Sequence, residues 1–173
     1  MSMACCLGRG GSKQLFIIVV VLFTAILIIS SIVYYKQHGG EVELVPTVYA
    51  TVYMEEECGC CRAYIDYLEN KGVEVNVTYV DREKLIDLKK ELGIPLNLYS
   101  CHTTIIQDYI VEGHVPFHII AKLVKEKPKI LGIALPGMIP GSPGMGGKLK
   151  EPLTIYAFTE DAVYVYMQTM QTD

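Results

Sequence analysis

Cys58-Gly59-Cys60-Cys61 places three thiols in four consecutive positions, and Cys101 adds another further along the chain. Cys58 and Cys61 make a C-x-x-C pair. At a strand-to-helix junction, the orphan N–H groups and the positive end of the helix dipole favour thiolate over thiol. Thiolate attacks disulfides and also binds metals, so two chemistries compete. In a thiol–disulfide oxidoreductase, Cys58 would be the exposed nucleophile and Cys61 the resolving thiol. Cys60 is then a superfluous thiol able to scramble the pair. In a metal site the extra thiolates are an asset. Soft sulfur ligands select Cu(I), with zinc and iron–sulfur centres as rivals. The cluster, with Cys101, therefore favours copper as Cu(I) over a two-electron dithiol. A third reading, structural disulfides alone, is disfavoured by adjacent cysteines at a helix N-terminus.

Other donors stand near these thiols in sequence. His102 follows Cys101 in Ser100-Cys101-His102-Thr103, and His114 lies in the turn Gly113-His114-Val115-Pro116. Each is a candidate imidazole ligand, set against a surface or turn histidine with no such role. Met138 and Met145 lie in a Gly/Pro-rich loop over residues 136–148; their thioethers are soft ligands for Cu(I) or simply fill gaps under the loop. His118 is expected on a helix in a structural role, and His38 in a linker. Glu55, Glu56 and Glu57 form an acidic rim that raises local cation concentration.

The elements that position these residues follow from periodicity. Residues 47–54 (TVYATVYM) are β-branched and aromatic and predict a strand. A helix is expected over 62–71, with Cys61, Ile65 and Leu68 on one face and Gly72 as its stop. Residues 73–80 alternate as a half-buried strand. Asp81 predicts an N-cap for a helix over 83–92, with Leu85, Leu88 and Leu92 inward and Gly93 and Pro95 ending it. A hairpin is expected from 103–106 and 109–111, then a helix over 117–125 behind Pro116, and a closing hairpin from 153–158 and 162–167. A strand feeding cysteines into a helix, with a later hairpin and helix, is the thioredoxin-like α/β order. In that order the turn before the hairpin usually carries a cis-proline facing the C-x-x-C; here Cys101 and His102 stand there, so a further thiol faces the cluster.

Half of the residues are hydrophobic (51%), and the excess is concentrated in one run. From Leu15 to Tyr35 there is no charge, proline or glycine. Spanning a bilayer takes about 20 such residues, and only a helix satisfies its own backbone in hydrocarbon. A cleaved signal peptide is the competing reading, but the run exceeds a signal's apolar region and no A-x-A-like site follows it. Arg9 and Lys13 before the run, against Lys36 after it, orient the N-terminus to the cytoplasm and the remainder to the extracytoplasmic side of a cell membrane. Cys5 and Cys6 precede the run, as lipid-attachment candidates or reduced bystanders, and do not form a lipobox. The expected organisation is a cytoplasmic arm (1–14), a transmembrane helix contacting lipid (15–35), a linker (36–46), a thioredoxin-like metal-binding domain (47–167) and a polar tail (168–173). Net charge is −4, with no Lys/Arg run beyond the N-terminal arm, which argues against nucleic-acid binding.

CGCC after a strand, then SCHT, EGHVP and PGMIPGSPGM, occur in an order that resembles the CopG-like copper-resistance family, also known as domain-of-unknown-function family 411. The resemblance covers roughly residues 48–158. It implies a thioredoxin-like domain that binds copper and takes part in copper handling or resistance, with copper redox chemistry as one form of that role. It implies metal ligands at Cys58, Cys60, Cys61 and Cys101, with His102, His114, Met138 and Met145 as further candidates. Other copper-handling proteins are the implied partners. The apolar anchor departs from the cleaved leader common in the family. The alternative function is a membrane-tethered thiol–disulfide oxidoreductase using Cys58 and Cys61.

Overall fold

The computed structural model describes residues 11–38 and 48–172, and side chains over 16–34 and 48–172. Cys5, Cys6, Arg9, Glu41, Glu43 and most of the expected linker lie outside the described residues, as do the side chains of Lys13, Lys36 and His38. The chain divides into two compact units, Met1–Val45 and Pro46–Asp173.

In the first unit, α1 runs over Gly11–His38. Its segment Phe16–Tyr34 is 19 residues long, with mean hydropathy 3.1 and nothing buried. At 1.5 Å per residue it spans about 28 Å, close to the hydrocarbon thickness of a bilayer. The helix is thus long and apolar enough to cross a membrane; a signal sequence near an N-terminus meets the same description.

The second unit is a mixed α/β structure. Its elements are β1 (Val48–Met54), α2 (Gly59–Asn70), β2 (Val73–Tyr79), α3 (Arg82–Glu91), a 3₁₀ turn (Leu96–Leu98), β3 (His102–Ile106), β4 (Tyr109–Glu112), α4 (Phe117–Glu126), β5 (Gly132–Ala134), β6 (Leu153–Phe158) and β7 (Val163–Thr169). The strands form one seven-stranded sheet in the order β2-β1-β3-β4-β5-β6-β7. β1 pairs parallel with β2 and antiparallel with β3, with Met54 opposite His102. β3 and β4 form the expected hairpin, Thr103 facing Glu112. The end of β1, the start of β3 and the end of β4 therefore meet at one end of the central strands.

Alternation along the strands splits the core between the two sheet faces. Val111, Ile133 and Ala157 join Tyr64 and Leu68 of α2 and Ile119, Ile120 and Leu123 of α4. Their neighbours Ile110, Ala134 and Phe158 pack with Ile94 and Leu98 on the other side. A smaller cluster, Val52, Met54, Cys61 and Ile65, lies under Cys58, Cys60 and Cys101.

Four features differ from the expectations of periodicity, one being that β7 runs to Thr169, two residues into the expected polar tail, where Gln168 and Thr169 pair with Thr154 and Leu153. α2 begins at Gly59 rather than Arg62, with Cys58 as its N-cap, because the buried stripe Cys61, Tyr64, Ile65 and Leu68 already carries the helical spacing through the cysteines. The inner face of α3 buries Leu85 and Lys89, while Leu88 and Leu92 are only half-buried. β5, too short to carry a period, was not expected; it pairs with β4 and β6 and is wholly buried. A Cβ on Gly132 would lie 2.1 Å from the Ile110 carbonyl oxygen, so a side chain there forces β4 and β5 apart.

Gly132→Ala should therefore destabilise the domain by about 1–3 kcal/mol or more. Gly146→Ala, where an added Cβ meets nothing within 4 Å, should stay within about 0.5 kcal/mol of wild type. Urea melts of the two variants check both values.

Candidate metal centre

Cys58 caps α2 with extended backbone (φ −73°, ψ 94°), and its N–H donates to the Glu55 carbonyl at 3.2 Å. The Arg62 guanidinium donates to the Glu56 carbonyl, tying the acidic turn to the first turn of the helix. Cys60 and Cys61 follow within that turn. Cys61 is fully buried, whereas Cys58 and Cys60 are half-buried. Cys58 and Cys61 form a disulfide, and Cys60 and Cys101 are free.

Cys101 comes from the turn before β3 and faces this cluster. Its Sγ lies 4.0 Å from Cys60 Sγ, which is itself 3.5 Å from Cys58 Sγ. The sulfurs of Cys58, Cys60, Cys61 and Cys101 all lie within 4.8 Å of one another. Cys101 belongs to a second donor group as well: its Sγ stands 3.1 Å from His114 Nε2 and 3.4 Å from His102 Nδ1.

The imidazoles are fixed by their neighbours. His114 Nδ1 lies 2.7 Å from the Pro143 carbonyl oxygen. A carbonyl only accepts, so Nδ1 carries the hydrogen and Nε2 turns its lone pair toward Cys101 Sγ. An outer carbonyl that fixes the tautomer of a ligating histidine is a common metal-site device. His102 Nε2 is buried and has no hydrogen-bond partner. The two rings meet edge-on at 4.9 Å, and Tyr64 packs against both, at 4.7 and 5.2 Å, while its hydroxyl donates to the Val115 carbonyl.

Burial sets the charge states. It pushes the Cys101 thiol up to about 12, with Cys60 beside it adding to the shift. It holds His102 and His114 below the ordinary imidazole range, His102 further lowered by His114 and Lys89. Without metal, Cys101 is therefore a neutral thiol, and the histidines are neutral imidazoles with lone pairs available. A bound cation reverses this logic for the thiol. Four sulfurs, the preset Nε2 of His114 and the Nδ1 of His102 beside Cys101 fit a soft metal ion. Cys58 and Cys61 join that set only when their disulfide is reduced.

An open cleft of about 550 Å³ leads to the thiols, its walls including Cys58, Cys101, Leu85, Tyr99 and Met138. Met138 is exposed on that wall. Met145 is half-buried and does not line the cleft; its N–H donates to the Ser142 carbonyl. The Gly/Pro loop reaches the site chiefly through its backbone. Pro143 supplies the acceptor for His114, and a Cβ on Gly144 would lie 2.7 Å from Tyr64 N and 3.0 Å from the Cys60 carbonyl oxygen. His118 is half-buried on α4, outside both donor groups.

Sequence reasoning missed a buried polar group next to the Cys101 turn. Glu112 and Lys89 are 0% and 2% exposed. They form an ion pair joined by Thr103, whose hydroxyl donates to Glu112 Oε2 at 2.7 Å and accepts from Lys89 at 2.8 Å. Burial raises the Glu112 carboxyl, against the pull of the Lys89 ammonium. The one local signal was Glu112 itself, an acid ending an otherwise apolar strand.

The description "Protein of unknown function, DUF411" fits residues 98–145, the span holding Cys101, His102, His114, Met138 and Met145. No curated protein matches the chain. Two solved structures of copper resistance protein CopG do. Form 2 is 34% identical over 71% of this chain and 98% of that one, with a TM-score of 0.64; Form 1 is 33% identical over 72% and 99%, with a TM-score of 0.65.

Acid should weaken the fold through the two histidines. Below about 6.5 the unfolded chain binds protons at His102 and His114 that the folded chain refuses, so stability falls as pH drops through that value. Urea midpoints of the metal-free protein should decline from pH 7.5 to pH 5, and the decline should flatten in a His102→Asn/His114→Asn variant.

Proposed function

The chain belongs to the CopG-like copper-resistance family, and from that membership we propose that it is a membrane-anchored copper-handling protein that holds Cu(I) in its cysteine cluster on the extracytoplasmic side. The observation that carries this reading is the convergence of four cysteine sulfurs within 4.8 Å, drawn from two separate parts of the chain. Cys58, Cys60, Cys61 and Cys101 supply bridging or terminal thiolates, and His102 and His114 add imidazole nitrogen. Met138, on the cleft wall, is placed to meet Cu(I) on its way to the thiols; Met145 is a weaker candidate, since it stands away from the cleft. The β-α-β-α-β-β-α order, with β1 between β2 and β3, supports reading residues 47–167 as a thioredoxin-like domain. The apolar segment of α1 supports a single transmembrane anchor at residues 15–35. Copper-handling proteins that exchange Cu(I) with the cleft are the expected partners.

The Cys58–Cys61 disulfide favours a related second reading, thiol–disulfide or copper oxidoreduction. Reducing the disulfide to two thiols takes two electrons and two protons. Two Cu(I) ions can supply the electrons and leave as two Cu(II). The reverse reaction reloads the disulfide, so one set of cysteines serves both holding and redox conversion.

Anaerobic loading of the reduced protein with Cu(I), followed by desalting and elemental analysis, should retain more than one copper per chain. Cys58→Ser, Cys60→Ser and Cys61→Ser should each sharply lower that number. Full stoichiometry in all three would defeat the proposal. Since Cys101 is protonated near neutral pH, loading must release its proton. Copper affinity should then fall about tenfold for each unit by which pH is lowered, for each proton displaced. Competition against a Cu(I) chelator at pH 6, 7 and 8 reads this slope. An external protease that digests the C-terminal domain in intact cells would agree with its extracytoplasmic placement, and protection of the domain would contradict it.

A further inference from the structure

We propose that Glu112 and Thr103 are positioning residues for the metal centre, a buried clamp that sets the Cys101 turn opposite the cysteine helix, with Lys89 as the counter-charge that lets the carboxylate be buried there. The inference rests on the copper-handling reading and adds residues that touch no candidate ligand atom.

Glu112 ends β4, and its Oε1 accepts the Ser100 N–H at 2.6 Å. That amide belongs to the residue just before Cys101. The other carboxylate oxygen accepts from Thr103, just beyond His102. One carboxylate therefore grips the backbone on one side of the Cys101-His102 pair and a side chain on the other. Lys89 ties the same carboxylate to α3 and also donates to Thr103 Oγ1. The donors and acceptors are consistent: Lys89 donates to Glu112 and Thr103, Thr103 donates to Glu112, and the Ser100 N–H donates to Glu112. The turn is held further by the Gly113 N–H on the His102 carbonyl at 3.1 Å and by the Ser100 hydroxyl on the Gly137 carbonyl at 2.9 Å.

Burying a charge pair in this way is seldom the most stable choice, because apolar residues of similar volume often do as well or better. What a carboxylate offers here, and a leucine does not, is an acceptor for the Ser100 amide at a fixed height above β4. A shift of the turn would carry Cys101 Sγ away from Cys60 and His114 together, so the clamp governs whether the two donor groups share one sulfur.

The test separates charge from hydrogen bonding in the full-length chain in detergent. Lys89→Met/Glu112→Gln deletes both charges and keeps an amide oxygen for Ser100. Lys89→Met/Glu112→Leu deletes the acceptor as well. In the metal-free chain, hydrogen exchange at the Ser100 amide should stay slow in the first variant and become at least tenfold faster in the second. After Cu(I) loading, the first should match wild type in copper number and in its thiolate-to-copper absorption. The second should fall to the level of Cys101→Ser. If the leucine variant keeps a protected Ser100 amide or wild-type copper binding, the proposal is overturned. If the leucine variant does not fold, Thr103→Val carries the test. It keeps both charges and the volume but frees one carboxylate oxygen, so it should surrender copper to a chelator severalfold faster than wild type; an unchanged rate overturns the clamp. Failure of wild type itself to hold copper would sink the copper reading, while hydrogen exchange would still decide the clamp.

Discussion

The Cys101 sulfur has neighbours on two sides, and the arrangement of the site depends on holding it there. Cys60 approaches from the first turn of α2 and His114 from the turn after β4. Neither element is adjacent to Cys101 in the chain. They meet because β3 starts opposite the last residue of β1 and pairs with the end of β4. Pulling a thiol into this place costs desolvation, seen in the raised Cys101 pKa. A neutral thiol beside a neutral imidazole lone pair is the metal-free resting state, and a soft cation is the species that both groups can satisfy together.

Around that point the protein has built two kinds of support. Backbone acceptors set donor orientation: the Pro143 carbonyl chooses the His114 tautomer. Buried polar side chains set the backbone: Glu112 grips the Ser100 amide. Supporting residues of this kind commonly matter nearly as much to a metal site as the ligands themselves. Tyr64, packed against both imidazoles with its hydroxyl satisfied by Val115, completes a wall that leaves the rings little freedom to swing away.

Much of this was legible in the order of residues. The β-branched and aromatic run of β1, the helical stripe of α2 and the short β3–β4 hairpin are local patterns, and together they bring the CGCC and SCHT cysteines to one end of the central strands. The missed features lacked a local signature. β5 is three residues long and is defined by its neighbours. The Lys89–Glu112 pair joins positions 23 residues apart in sequence, and nothing in α3 marks Lys89 as the lysine that turns inward. The Gly/Pro/Met loop drew notice for its sulfurs, yet its closest engagement with the site comes from a proline carbonyl and a glycine packed on Tyr64. Periodicity reports which face a side chain takes. It carries no information on which backbone oxygen will meet which ring.

The most direct test of the central claim is X-ray absorption at the copper edge on the reduced, Cu(I)-loaded chain. The account predicts a first shell dominated by sulfur, together with a short copper–copper vector from bridging thiolates of Cys58, Cys60, Cys61 and Cys101. A first shell of nitrogen and oxygen alone, with every thiol still free to alkylate, would contradict it.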